Sequence, residues 1–116
     1  MPGPITTHIL DTARGFPAIG IDAALEWQDE AGEWLLLGIG CTNTDGRIPD
    51  FLPEETPLLP GLYRITFETG EYFRMTGVDP IFYPRVLVEF SLGDSARHYH
   101  IPLLLSPFGY TTYRGS

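Results

Sequence analysis

Apolar and polar side chains alternate with a period of two along most of this chain, and glycine, proline and acid-rich turns interrupt the alternation at short intervals. Period two places every second side chain on one face of an extended strand, so each such segment buries one face and wets the other. From Ile19 to Gln28 every odd position is apolar: Ile19, Ile21, Ala23, Leu25 and Trp27. Charged residues and Gly32 then turn the chain into Trp34 to Thr42, a run so nearly apolar that it predicts a strand buried on both faces or set at a subunit contact. Cys41 ends that run and is expected to act as a small buried hydrophobe, with no neighbour to lower its pKa.

The punctuation is equally directive. Asn43-Thr44-Asp45-Gly46-Arg47 is a turn sequence in which Gly46 supplies a positive φ. Pro49, Pro53, Pro57 and Pro60 make residues 49–61 an irregular connection. Leu62 to Glu68 alternates again with Tyr63, Ile65 and Phe67 on one face, and Thr69 is placed to cap a short helix through Met75 that Gly77 stops. Arg85 to Leu92 puts Val86, Val88, Phe90 and Leu92 on one face. Gly93-Asp94 turns the chain into a strand from Arg97 to Leu104, and Pro107-Phe108-Gly109 into another from Tyr110 to Ser116. Ile5 to Asp11 is also strand-like. Six or seven short strands with one brief helix predict an all-β, antiparallel sandwich, a single domain over residues 1–116. At that length about two-thirds of the unfolded surface is buried, so disulfide staples are not needed.

The balance of charge narrows the partners. A net charge of −8 and seven dispersed basic residues argue against a nucleic-acid backbone as ligand. No apolar stretch is long enough for a membrane span, and the first residues lack the pattern of a signal peptide. The expected location is therefore the cytoplasm, with periplasm and peroxisome left open.

The polar residues with chemistry to offer are His8, Arg47, His98, His100, Tyr113, Arg114 and Ser116. His98 and His100, two apart, share a strand face. With His8 they suggest zinc, but no spacing ties His8 to the pair and no carboxylate supports them. Arg47 projects from a tight turn, where a guanidinium can grip a carbonyl or an anion. There is no Gly-x-Ser-x-Gly elbow and no glycine-rich phosphate loop. An enzyme built from these residues would activate water with a histidine base and an arginine clamp.

Thr6-Thr7-His8-Ile9-Leu10-Asp11-Thr12-Ala13-Arg14-Gly15-Phe16-Pro17-Ala18 resembles the N-terminal signature of the 5-hydroxyisourate hydrolases, the transthyretin-like enzymes of urate breakdown. The ending from His98 to Tyr113-Arg114-Gly115-Ser116 resembles their C-terminal signature, and Thr44-Asp45-Gly46-Arg47 their middle motif. The resemblance implies a homotetramer of β-sandwiches that hydrolyses 5-hydroxyisourate to 2-oxo-4-hydroxy-4-carboxy-5-ureidoimidazoline without a cofactor. It implies that His8, Arg47 and His100 are catalytic, and that Tyr113, Ser116, His98 and Arg114 bind substrate. Arg85 departs from the pattern, standing where an acid is expected. Two other readings compete: a transthyretin-like carrier without catalysis, and a zinc hydrolase using His8, His98 and His100. A carrier has no need of histidines and an arginine converging on its channel.

Overall fold

Residues 3–93 and 98–115 are described by a computed structural model. Two sheets pack face to face. One has the strand order β2-β1-β8-β9 and the other β4-β3-β6-β7. The first contains β1 (Ile5–Asp11), β2 (Phe16–Pro17), β8 (Tyr99–Ser106) and β9 (Gly109–Thr112), with β5 (Arg47–Ile48) also paired to β1. The second contains β3 (Asp22–Gln28), β4 (Trp34–Cys41), β6 (Gly61–Phe67) and β7 (Val86–Leu92). Among the described residues a single helix, α1 (Thr69–Met75), follows β6. Among the described residues no helix is long and apolar enough to cross a membrane.

The alternation read from the sequence becomes the core. Ile5 and Ile9 of β1, Leu25 of β3, Tyr63, Ile65 and Phe67 of β6, Val86 and Val88 of β7, and Ile101, Leu103 and Leu105 of β8 all point inward and are buried. Each large side chain so buried contributes about 1.5–3 kcal/mol. Phe90 is only half-buried and stacks on Tyr63 with ring centroids 5.9 Å apart. Polar groups drawn into this interior are paired. Thr7 donates its hydroxyl to the Ile101 carbonyl, and the Asp11 carboxylate accepts from the Tyr72 hydroxyl at 2.8 Å and from the amides of Ala13 and Arg14.

One pairing lies outside what alternation specifies. Every other ladder is antiparallel, but β1 and β8 run parallel, in register from Ile5 opposite Tyr99 to Asp11 opposite Leu105. A period-two pattern reports which face is buried and not which strand lies alongside.

Four local expectations differ from the structure. Of the two alternatives for the apolar run over β4, burial on both faces does not hold within one chain: Leu36 and Ile39 are 63% and 72% exposed on the edge strand, where no element of the same chain covers them. Cys41 is exposed as well. Partial desolvation, and secondarily the Asp22 carboxylate, push its thiol pKa upward, so it remains a protonated thiol. Glu68, not Thr69, occupies the N-cap of α1, without a side-chain capping bond; Thr69 is buried in the first turn. The eighth strand begins at Tyr99 and runs to Ser106, and β9 ends at Thr112. Residues 94–97 and Ser116 lie outside the described residues. Arg85 forms a surface ion pair with Glu68 at 3.0 Å, away from the histidines.

Candidate active site

The parallel register of β1 and β8 assembles the site. On β1 the odd residues face the core, so Thr6, His8 and Leu10 face outward. On β8 the odd residues again face the core, which turns His100, Pro102 and Leu104 outward beside them, with Thr6 directly opposite His100. Histidines about ninety positions apart in the chain thereby share one face.

Arg47 reaches the same face through its turn. It stands opposite His8 in the β1–β5 pairing. The Asn43 side-chain oxygen accepts from the amides of Asp45 and Arg47 at 2.9 and 3.0 Å, and the Asn43 amide donates to the Arg47 carbonyl. Gly46 has φ +74°, and a Cβ there would lie 2.6 Å from the Ile9 carbonyl oxygen. Only glycine satisfies both the dihedral and the close approach. The guanidinium is exposed, and no carboxylate pairs with it among the described residues.

The third contribution comes from the chain's end. Beyond β9 the antiparallel register with β8 is resumed at Gly115, which bridges His100 and donates its amide to the His100 carbonyl at 2.8 Å. A Cβ on Gly115 would sit 2.7 Å from His100 Cδ2, so this glycine leaves the room that the imidazole occupies. Tyr113, two residues before it, is exposed and shares the parity of Gly115. Arg114 turns toward Tyr99: its guanidinium lies over the Tyr99 ring, 5.3 Å from the centroid, and it lines the groove between β7 and β8–β9 together with His100 and Tyr113.

The histidines are electrostatically coupled to Arg47. The His8 pKa is lowered first by burial and then by the Arg47 charge, against a partly opposing hydrogen bond from the ring to the Asp45 carbonyl. The His100 pKa is lowered first by burial, then by Arg47, His8 and His98. Both rings are therefore neutral at pH 7, each with one nitrogen lone pair for accepting a proton. His98 is exposed, and its ring is nearly parallel to that of His100, the centroids 6.5 Å apart. Among the described residues no three His, Cys, Asp or Glu side chains form a group that could hold a metal ion.

Three residues of this site escape a reading of the sequence. Thr6 is nearly buried, and its hydroxyl oxygen lies 2.8 Å from His100 Nδ1 and 3.0 Å from His98 Nε2. Its signal was the two-residue spacing from His8, which puts both on one strand face. Asn43 was visible only as a turn residue, and the part played by Gly115 depends on a tertiary contact. The arrangement offers neutral imidazoles beside an unpaired guanidinium: a base for water and a clamp for the oxyanion that attack on a carbonyl creates.

The HIUase/Transthyretin family model matches residues 5–115. The 5-hydroxyisourate hydrolase of Salmonella dublin is 46% identical over 97% of this chain and 80% of its own length. Among solved structures, Klebsiella pneumoniae 5-hydroxyisourate hydrolase superposes with TM-score 0.83 at 37% identity, covering 98% of this chain and 99% of that one. Sea bream transthyretin in complex with thyroxine gives TM-score 0.87 at 32% identity, covering 97% and 94%.

Proposed function

The chain belongs to the HIUase/Transthyretin family, and on that premise we propose that it is a hydrolase opening the ring amide of 5-hydroxyisourate to give 2-oxo-4-hydroxy-4-carboxy-5-ureidoimidazoline. The observation that carries the reading is the convergence of His8, His100 and unpaired Arg47 on one sheet face. His100 takes a proton from water as the oxygen attacks the carbonyl carbon. Arg47 offsets the charge that gathers on the carbonyl oxygen. His8 orients the water or returns a proton to the leaving nitrogen, and Tyr113 and His98 border the substrate. Shape alone does not separate this from a carrier, because the thyroxine-bound transthyretin superposes as well as the hydrolase does. The titratable groups on the face favour catalysis.

The face is open to solvent in a single chain, and exposed Phe16 of β2, Ile19 just beyond it and Phe108 in the β8–β9 turn lie at the far end of the same sheet. Their exposure in one chain supports a homotetramer, in which further copies cover them and neighbouring chains wall the site. Sedimentation at four times the 12.9 kDa chain mass is the expected result.

The activity is tested by generating 5-hydroxyisourate from urate with a urate oxidase and following its ultraviolet decay with and without the protein. The expected result is accelerated decay, slowed by about 10²–10⁴ in His100→Asn with the oligomer intact. Decay unchanged by the wild-type protein would instead support the carrier.

A further inference from the structure

We propose that Thr6 is a positioning residue whose single hydroxyl links His98 to His100 as a reversible proton relay, an inference that rests on the hydrolytic reading of this site. A hydroxyl has one hydrogen to donate and two lone pairs to accept, so Thr6 donates in at most one of its contacts to His100 Nδ1 at 2.8 Å and His98 Nε2 at 3.0 Å, and in the relay the two run in opposite senses. In the relay the His100 edge turned to Thr6 carries the hydrogen, a sense that agrees with the Thr6 backbone raising the His100 pKa. Nδ1–H of His100 donates to the Thr6 oxygen, and the Thr6 O–H donates to Nε2 of His98. His100 Nε2 is left with its lone pair free, the state a general base requires.

The chain of bonds also solves a charge problem. When His100 takes a proton from water it becomes an imidazolium beside the Arg47 guanidinium and His8. As the new O–C bond forms, the carbonyl π pair moves to oxygen and the water proton binds His100 Nε2. His100 then passes its Nδ1 proton to the Thr6 oxygen, and Thr6 passes its own to His98 Nε2. The positive charge now rests on an exposed ring one residue pair away. When the C–N bond breaks, its electron pair goes to nitrogen, which takes the proton from His100 Nε2; Thr6 and His98 return theirs in reverse order. The net transfer is one proton from water to the leaving nitrogen, with no other reactant.

The test uses Thr6→Val, Thr6→Ser, His98→Gln and the Thr6→Val/His98→Gln double variant, with kcat and KM for 5-hydroxyisourate and 15N NMR of the resting imidazoles. Loss of the relay is expected to lower kcat about 10- to 100-fold in Thr6→Val with KM within about twofold, and Thr6→Ser should recover most of it. The double variant should be no slower than the worse single one, because both break the same chain. In wild type, His100 should be protonated at Nδ1 and bare at Nε2. An Nε2-protonated His100, unchanged kcat in Thr6→Val, equal impairment of the valine and serine variants, or additive losses would each overturn the relay. If Thr6→Val fails to fold, His98→Gln and Thr6→Ser decide the matter together: the relay requires a lower kcat with KM unchanged in His98→Gln, near-native kcat in Thr6→Ser and an Nδ1-protonated His100 in the NMR spectra, and any other pattern overturns it. A wild type without turnover would end the hydrolytic reading and the relay's catalytic role with it, while the NMR tautomers would still show whether Thr6 orders the two rings.

Discussion

The two sheets of this sandwich each carry an arginine on the outward face, and the two are treated oppositely. Arg64 on β6 is partnered: its Nε lies 2.7 Å from a Glu26 carboxylate oxygen, and its guanidinium packs 4.2 Å from the centre of a Trp34 ring. Arg47 on β5 has no carboxylate among the described residues and faces His8 across the ladder. A guanidinium with partners holds a surface together. One left beside neutral imidazoles makes each harder to protonate and waits for negative charge from elsewhere. Local disagreement with the rules of stable surfaces is a mark of a working site.

The largest effect expected from that contrast is kinetic. Arg47→Gln should lower turnover of 5-hydroxyisourate by about 10²–10³ while leaving thermal unfolding nearly unchanged. Arg64→Gln should leave turnover alone and cost about 1 kcal/mol of stability, the usual upper range for a partly exposed pair. The reverse pattern in kinetics and calorimetry would erase the distinction between the faces. The pH response follows with its sign. Because the folded-state pKa values of His8 and His100 lie below the ordinary 6.5, both rings stay neutral as pH falls past that value and protonate only further down. Activity dependent on the neutral bases should then survive below pH 6.5 and fall as pH drops through the lowered values. The same groups contribute stability above pH 6.5 that is lost in that window, since the unfolded chain binds protons first. In Arg47→Gln, NMR titration should move both pKa values upward, with that of His100 still short of 6.5 because burial, its largest cause, and the neighbouring histidines remain.

Much of this contrast was legible in the sequence. The alternation over Leu62 to Glu68 placed Arg64 outward and its neighbours in the core, and the Asn-Thr-Asp-Gly-Arg turn placed Arg47 at a bend. What alternation cannot carry is the choice of neighbour. His8 and His100 meet because β1 and β8 pair in parallel, a decision made by the packing of both sheets. The same limit explains Arg114. It adjoins Tyr113 and was grouped with it, yet adjacent residues in extended chain face opposite ways, and Arg114 turns to Tyr99. The β4 run was apolar for a reason a single chain does not display, since its side chains remain at an uncovered edge. Ser116 falls outside the described residues.

A smaller effect probes how tightly the histidine face is built. Gly115→Ala introduces a Cβ 2.7 Å from His100 Cδ2 and 3.2 Å from the His100 carbonyl oxygen. Either the ring rotates or the terminal segment retreats by several tenths of an ångström. A misplacement on the order of 1 Å at a catalytic group costs about 10²-fold, so a shift of this size should lower kcat about 10-fold. The overpacking should cost about 1–2 kcal/mol. Unimpaired turnover would mean that the position of His100 is not set by this contact.

The smallest effect concerns the arginine's support. Asn43→Ala removes the one oxygen that accepts from the amides of Asp45 and Arg47, while the backbone bond from the Asn43 amide to the Arg47 carbonyl can persist. Two hydrogen bonds at an exposed turn are together worth about 1–2 kcal/mol, and that is the expected loss in calorimetry. Turnover should fall by a factor of only a few, since Gly46 and the β1–β5 pairing still hold the bend. Asn43→Asp keeps the acceptor and should recover the stability. A loss in Asn43→Ala as deep as that in Arg47→Gln would place the side-chain brace, not the glycine-defined turn, in control of where the guanidinium stands.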